Sequence, residues 1–372
     1  MVCKKYHSTM ERFHSNPIPL TQKTIKYFPH IESLNIWSKL DELFGNEFIG
    51  DNTIDVAQTC CTSPNNTHNT KISFFEILIW YKVSYTFTQH KKSTNYKFKN
   101  ICLEHTDRQH LSSQIPRVNS IGDKCFYKST FLNEVTLPQT LTSLGEYSFA
   151  NCDKLTSILL SHNLCHIGKN TFENCTSLVC VVLPDTIKTI PTSCFQNCVC
   201  LAVVTFSRQL EKIGNNAFCC CSSLEIVEIP PTTNCVGKYC FHNCTRLRQV
   251  NIPNGVKVLE ENTFCCNAFT QIDIPEGVTE IGDQCFYGCK YLESVVVPDS
   301  VRRLGNFCFY GCRELREIKI GNNVESVGDF CFGVCTSLTR MTTQHTVFTL
   351  CEKLFDKNIV FCNDNNCVVY KL

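Results

Sequence analysis

The sequence predicts a solenoid, a stack of short tandem units around one continuous apolar core. Three observations predict it. Ten phenylalanines, Phe126, Phe149, Phe172, Phe195, Phe218, Phe241, Phe264, Phe286, Phe309 and Phe332, recur every 23 residues eight times and every 22 once. The short step lies between Phe264 and Phe286. Other apolar positions move in register with them. Cysteine is abundant, 29 of 372 residues, and fourteen of these hold two fixed places beside the Phe. A fixed period of this length marks a repeat architecture.

Each unit can be read in order from its Phe. Six residues on stands a Leu, as in Leu132, Leu155, Leu178 and Leu201, with Phe269 in its place in the short unit. Nine and eleven residues on come apolar pairs such as Val135/Leu137, Ile158/Leu160, Val181/Leu183, Val227/Ile229 and Ile318/Ile320. Their alternation and β-branching predict a short strand. Pro138, Pro184, Pro230, Pro253, Pro275 and Pro298 then stop it, having no N–H for a ladder. A second apolar pair follows, as in Leu141/Leu144 and Ile187/Ile190. Next comes a Gly (Gly145, Gly168, Gly214, Gly237, Gly282, Gly305, Gly328), expected to permit a turn that other residues resist. The stretch G-x-x-x-F-x-x-C is expected to return the chain through a short helical or 3-10 segment. One unit cannot bury its own apolar edge, but stacked neighbours can.

The segment LESVVVPDSVRRLGNFCFYGC (292–312) shows the whole pattern. It resembles the BspA-like leucine-rich repeat family, with consensus near L-x-x-I-x-I-P-x-x-V-x-x-I-G-x-x-A-F-x-x-C. The resemblance covers roughly 115–343. It implies a leucine-rich-repeat solenoid, a right-handed β/α superhelix or horseshoe with short strands on its concave face. It also implies irregular terminal caps, protein binding and no catalytic residues. The expected organisation is an irregular region 1–114, tandem repeats 115–343 and a C-terminal cap 344–372.

Composition narrows the function. Lys and Arg number 35 against 34 Asp and Glu, a net charge of +1, which disfavours a nucleic-acid footprint. Hydrophobic residues at 43% and charged residues at 19% exclude disorder over most of the chain. No apolar run reaches the roughly 20 residues of a membrane helix. The opening MVCKKYHSTMERFHSNPIPL has no apolar h-region, and Cys367 stands six residues from the end, unlike a prenylation box. The expectation is a cytoplasmic chain with reduced thiols.

The cysteines follow the Phe register. Three residues after it stand Cys152, Cys175, Cys198, Cys221, Cys244, Cys289, Cys312 and Cys335; one before it stand Cys125, Cys194, Cys240, Cys285, Cys308 and Cys331. A zinc site needs ligand pairs converging on one point, whereas these are spread along the stack. They are expected to act as small buried apolar groups, with no metal or cofactor bound. Cys219–Cys221, Cys60–Cys61 and Cys265–Cys266 lie partly outside the columns and are candidates for exposed thiols.

The N-terminal third lacks the Phe–Cys column. In IKYFPHIESLNIW, Ile25, Ile31, Leu34 and Ile36 reproduce the spacing of Phe149, Leu155, Ile158 and Leu160, as a degenerate repeat would. Residues 51–73 read as a polar loop. FFEILIWYKVSYTF (74–87) is a strand or a helix, which periodicity does not separate. Val2, Cys3, Lys4, Lys5 and Tyr6 resemble the tail of an F-box-like module, implying a truncated remnant.

Catalytic signals are sparse. No G-x-x-x-x-G-K-[ST], G-x-G-x-x-G or H-E-x-x-H occurs. His162, His166 and His242 read as solvated loop residues. So does the basic stretch His90, Lys91, Lys92, Lys97 and Lys99 with Tyr96 and Phe98 interleaved. The sequons at Asn65, Asn174 and Asn243 read as chance.

The strand faces carry more. Alternate strand residues point to opposite sides. In the outer repeats the outward pairs are polar, as in Glu134/Thr136, Gln249/Asn251, Gln271/Asp273 and Glu317/Lys319. In the middle they are Ser157/Leu159, Cys180/Val182, Val203/Thr205 and Ile226/Glu228. Leu159, Cys180, Val182, Val203, Thr205, Ile226 and Glu228 are therefore the candidate partner-binding patch. Two other readings compete: coverage by the N-terminal region, and plain strand propensity. The expected function is a non-catalytic scaffold for a protein partner whose identity and stoichiometry the sequence leaves open. The alternatives are an F-box-type ubiquitin-ligase adaptor and a surface adhesin.

Overall fold

The computed structural model describes residues 15–16, 18–25, 28, 31–44, 73–90, 95–110 and 115–343, and the strands Ile359–Asn363 and Asn366–Tyr370. The chain divides into two compact units, Met1–Asp107 with Val118–Ser120, and Arg108–Arg117 with Ile121–Leu372. The proposed F-box-like tail, the loop 51–72 and most of 344–372 lie outside the described residues.

The larger unit is a parallel β-solenoid. Each turn contributes one strand at the I-x-I stretch, such as Glu134–Thr136, Ser157–Leu159 and Cys180–Val182. These pair in parallel with a displacement of one repeat, so Val135 faces Ile158 and Val181 faces Val204. A second strand of two residues follows, as at Thr189–Ile190, Lys212–Ile213 and Cys235–Val236, and pairs in the same way.

The return segment departs from expectation, because it is not helical. Two residues before and two after each ladder Phe take left-handed backbone, for example Asn170 (φ 58°) and Asn174 (φ 57°) around Phe172. All ten turns have this pair. Reversals of hand on both sides of the Phe break any run of i→i−4 bonds. The backbone bonds sideways instead: Phe149 N–H donates to Thr171 O at 2.9 Å and Phe172 N–H to Cys194 O at 2.9 Å in the next turn. The described residues include the short α-helix Tyr85–His90 and the 3-10 segment His105–His110, both outside the return segments.

The Gly column also has a different reason from the expected one. Gly168 does not need left-handed backbone, yet a Cβ there would stand 2.5 Å from Glu146 N; at Gly328 it would stand 2.4 Å from Asn306 N. The second strand runs against the previous turn too closely for any side chain, while Gly168 N–H donates to Leu144 O at 2.9 Å.

The core is a column of rings. Phe126 stacks on Phe149 with centroids 5.1 Å apart, Phe195 on Phe218 at 5.3 Å, and Phe309 on Phe332 at 5.8 Å, and the column is unbroken between them. The Leu column beside it is fully buried. In the short repeat the missing residue lies between Phe264 and Phe269; Phe269 fills the Leu place edge-on to Phe264 at 5.8 Å. Asn267 takes the place of the column Cys there, buried with no partner for its amide.

The smaller unit holds three parallel strands, Ser33–Ile36, Glu76–Ile79 and Tyr96–Phe98. Leu34 faces Ile77, and Ile36 faces Ile79. All four are buried, while Ile25 and Ile31 are only partly so. The buried amides of Asn16 and Asn35 clasp each other's backbone, with Asn16 Nδ2 donating to Asn35 O at 2.8 Å and Asn35 Nδ2 to Asn16 O at 2.7 Å. Residues 74–87 resolve into the strands Glu76–Ile79 and Val83–Ser84 and the start of the helix. The basic stretch is not simply a solvated loop: residues 91–94 lie outside the described residues, but Lys97 is in a strand and pairs with Glu76. Tyr96 and Phe98 pack on the apolar cluster.

In the larger unit, Arg340–Thr342 pairs in parallel with Val360–Cys362. Ile359–Asn363 and Asn366–Tyr370 then form an antiparallel pair that closes this sheet.

Candidate protein interface

The I-x-I strands build the candidate site by alternation. Ile158, Val181 and Val227 point inward and are buried. Their neighbours point outward: Leu159 is 58% exposed, Val182 60%, Val203 57% and Ile226 56%. Cys180, Thr205 and Glu228 are exposed on the same side. All seven candidate residues therefore stand on one face.

Register determines which of them meet. Cys180 lies opposite Ser157 on one side and Val203 on the other, and Val182 lies opposite Thr205. The same register sets Leu159 beside Val182. Two rows result, Leu159–Val182 and Cys180–Val203, with Ile226 at the same place as Val203 in the next repeat, and the apolar stripe crosses diagonally from one row to the other. Thr136 beside Leu159 and Gln249 beside Ile226 end it with polar groups.

The ladder opens inside the stripe. Strands Val203–Thr205 and Ile226–Glu228 are not hydrogen-bonded to each other. Val204, the inward residue, is only half-buried where Val181 is fully so. A groove of about 770 Å³ lies there, lined by Val203, Thr205, Phe206, Ile226, Glu228 and Pro230 among others. The exposed Arg246–Glu225 ion pair, 2.9 Å, borders it. A second opening falls between Gln249–Asn251 and Gln271–Asp273, at the short repeat. Sequence reading missed both openings. It also missed Val296, 55% exposed between Asp273 and Lys319, although its outward place follows from the same alternation.

The cysteines mostly serve the fold. Each thiol three residues after a Phe donates to the carbonyl of the Phe one turn earlier, as in Cys175 to Phe149 O (3.2 Å), Cys198 to Phe172 O (3.1 Å) and Cys221 to Phe195 O (3.1 Å). Burial pushes these thiols up, Cys152 to about 11 and Cys289 to about 12. Their part is thus more specific than that of small apolar groups.

His162 is exposed in a turn, as expected; His166 is exposed too, but it stands in the strand His166–Ile167 and not in a loop. His242 is not a solvated loop residue: it is half-buried, edge-on to Tyr239 at 5.7 Å, and burial holds its pKa below the ordinary imidazole value. Asn174 and Asn243 occupy left-handed turn positions; Asn65 lies outside the described residues. No helix among the described residues is long and apolar enough to cross a membrane.

A parallel β-solenoid with one Phe, one Leu and an I-x-I strand in each turn is a leucine-rich repeat protein. More narrowly, the chain belongs to the BspA type leucine rich repeat region family, whose profile matches in 6 copies over residues 91–225, 188–302 and 257–364. Among solved structures, a leucine-rich repeat protein from Bacteroides ovatus is similar with a TM-score of 0.57 at 22% identity, over 90% of this chain and 84% of that one. That likeness concerns the fold. A leucine rich cell surface protein from Faecalibacterium prausnitzii matches at 21% identity over 77% of this chain and 83% of that one, with a TM-score of 0.44. No curated protein sequence matches the chain.

Proposed function

We propose that the chain is a non-catalytic scaffold that binds a protein partner through its outward strand face, the concave side of a right-handed superhelix. One observation carries this reading. Leu159, Val182, Val203 and Ile226 are each more than half exposed in consecutive repeats, while the flanking repeats present polar groups at the same positions. A contiguous apolar patch flanked on both sides by polar repeats favours association. The groove between Val203 and Ile226 adds a recess in which a partner side chain can be anchored. The column thiols fit the non-catalytic part, being buried and engaged with carbonyls. Cytoplasmic placement belongs to the same proposal, because a thiol donates this bond only while reduced. The test is capture of partner chains by the intact protein against capture by the folded double variant Val182→Asp with Val203→Asp.

A further inference from the structure

Two adjacent cysteine pairs depart from the column geometry. The Sγ atoms of Cys219 and Cys220 lie 3.7 Å apart, and those of Cys265 and Cys266 lie 3.5 Å apart. In each pair the second cysteine takes the left-handed position two residues after the Phe, Cys220 at φ 61° and Cys266 at φ 59°. That backbone turns the side chain out of the core: both are half-buried, while Cys219 and Cys265 are buried.

The two outer thiols differ in what stands over them. Asn243, one turn on from Cys220, reaches its sulfur with Nδ2 at 3.7 Å. One turn on from Cys266 stands Gly288, also left-handed at φ 68°, with no side chain. A Cβ there would lie 3.1 Å from Cys266 Sγ. The Cys266 sulfur therefore lacks the side-chain cover that Asn243 gives Cys220.

Its surroundings favour the thiolate. Cys265 donates its S–H to Cys266 Sγ. That bond holds Cys266 down at about 7, against the opposing effect of burial and with help from the Lys290 ammonium. The other titratable neighbours of the pair are Cys285 and Cys289 in the next turn and Tyr239 in the preceding one. Cys265 itself is pushed well up, first by its bond to Cys266 and then by burial, so it stays a donor.

We propose that Cys266 is a site of thiol–disulfide exchange with low-molecular-weight disulfides. The Cys266 thiolate attacks one sulfur of RS–SR. A Cys266–S–SR bond forms as the original S–S bond breaks, and the departing RS⁻ takes a proton from water. Cys266 is oxidised and the departing half is reduced, so no further oxidant is needed. The best attacking thiol titrates near the ambient pH, because a lower value costs nucleophilicity and a higher one costs thiolate.

The test uses the full-length reduced protein and one equivalent of oxidised glutathione at pH 6, followed by acid quench and peptide mapping. The adduct should form first on Cys266, about fivefold faster than on an unperturbed thiol. Gly288→Asn keeps a residue tolerant of left-handed backbone and restores the cover seen over Cys220, so it should slow exchange at Cys266 severalfold while folding is unchanged. Lys290→Met should move the midpoint of the pH–rate curve upward. Adducts spread over the exposed Cys165, Cys180 and Cys200 as fast as on Cys266 would overturn the proposal. So would a folded Gly288→Asn variant that reacts at the wild-type rate.

Discussion

The Cys198 thiol donates to the Phe172 carbonyl of the preceding turn at 3.1 Å, and that carbonyl also accepts the Cys175 N–H of its own turn at 3.2 Å. A buried carbonyl has two lone pairs and no water, so the thiol satisfies what the turn leaves over. The abundance of cysteine follows from this bond, repeated along the stack.

Removing the donor tests it. Cys198→Ala should cost about 2 kcal/mol, from a small cavity and a lost bond. Cys198→Ser should cost less, because a hydroxyl can still reach Phe172 O. Equal losses in chemical denaturation would show that the bond contributes nothing.

Alkali should weaken the stack. Burial raises the column thiols above the ordinary value of about 9, to about 11 at Cys152 and about 12 at Cys289. The folded state then holds protons that the unfolded chain has released. Stability from this source is fully present below about pH 9 and is lost as pH rises through about 11 to 12. A denaturation midpoint constant from pH 7 to pH 11 would rule it out.

The left-handed pairs make a prediction at Val334, which sits at φ 58° with a β-branched side chain. Most turns have Asn or Gly there. Val334→Asn should relieve about 1 kcal/mol of strain and raise the thermal midpoint by a few degrees. A lower midpoint would mean that the exposed Val334 side chain contributes more than the backbone costs.

Phe218 stacks on Phe195 at 5.3 Å and Phe241 at 5.5 Å and meets Phe206 edge-on at 5.7 Å. Phe218→Ala opens a cavity across two turn-to-turn contacts and should cost roughly 3–5 kcal/mol. An unchanged denaturation midpoint would show that the ring column is not the core.

The repeat was legible because its period is carried by large apolar residues, the Phe, Leu and I-x-I positions, whose burial leaves few substitutes. The outward stripe was legible from alternation alone. The return turn was not, because the sideways ladder imposes left-handed backbone on residues as different as Tyr147, Phe307 and Val334. Nor was the role of Gly168, since freedom of φ and close approach leave the same residue in the sequence. The openings beside Val203 and at the short repeat depend on pairing between turns, which no single unit encodes.

The outward face is tested most directly by capture with Val182→Asp combined with Val203→Asp. Both side chains stand more than half exposed, so the double variant should fold with a near wild-type denaturation midpoint. Charge at the centre of an interface is strongly disfavoured, so partner chains recovered by the wild-type protein should be absent from the variant's capture. A folded double variant that recovers the same chains in the same amounts would contradict the account.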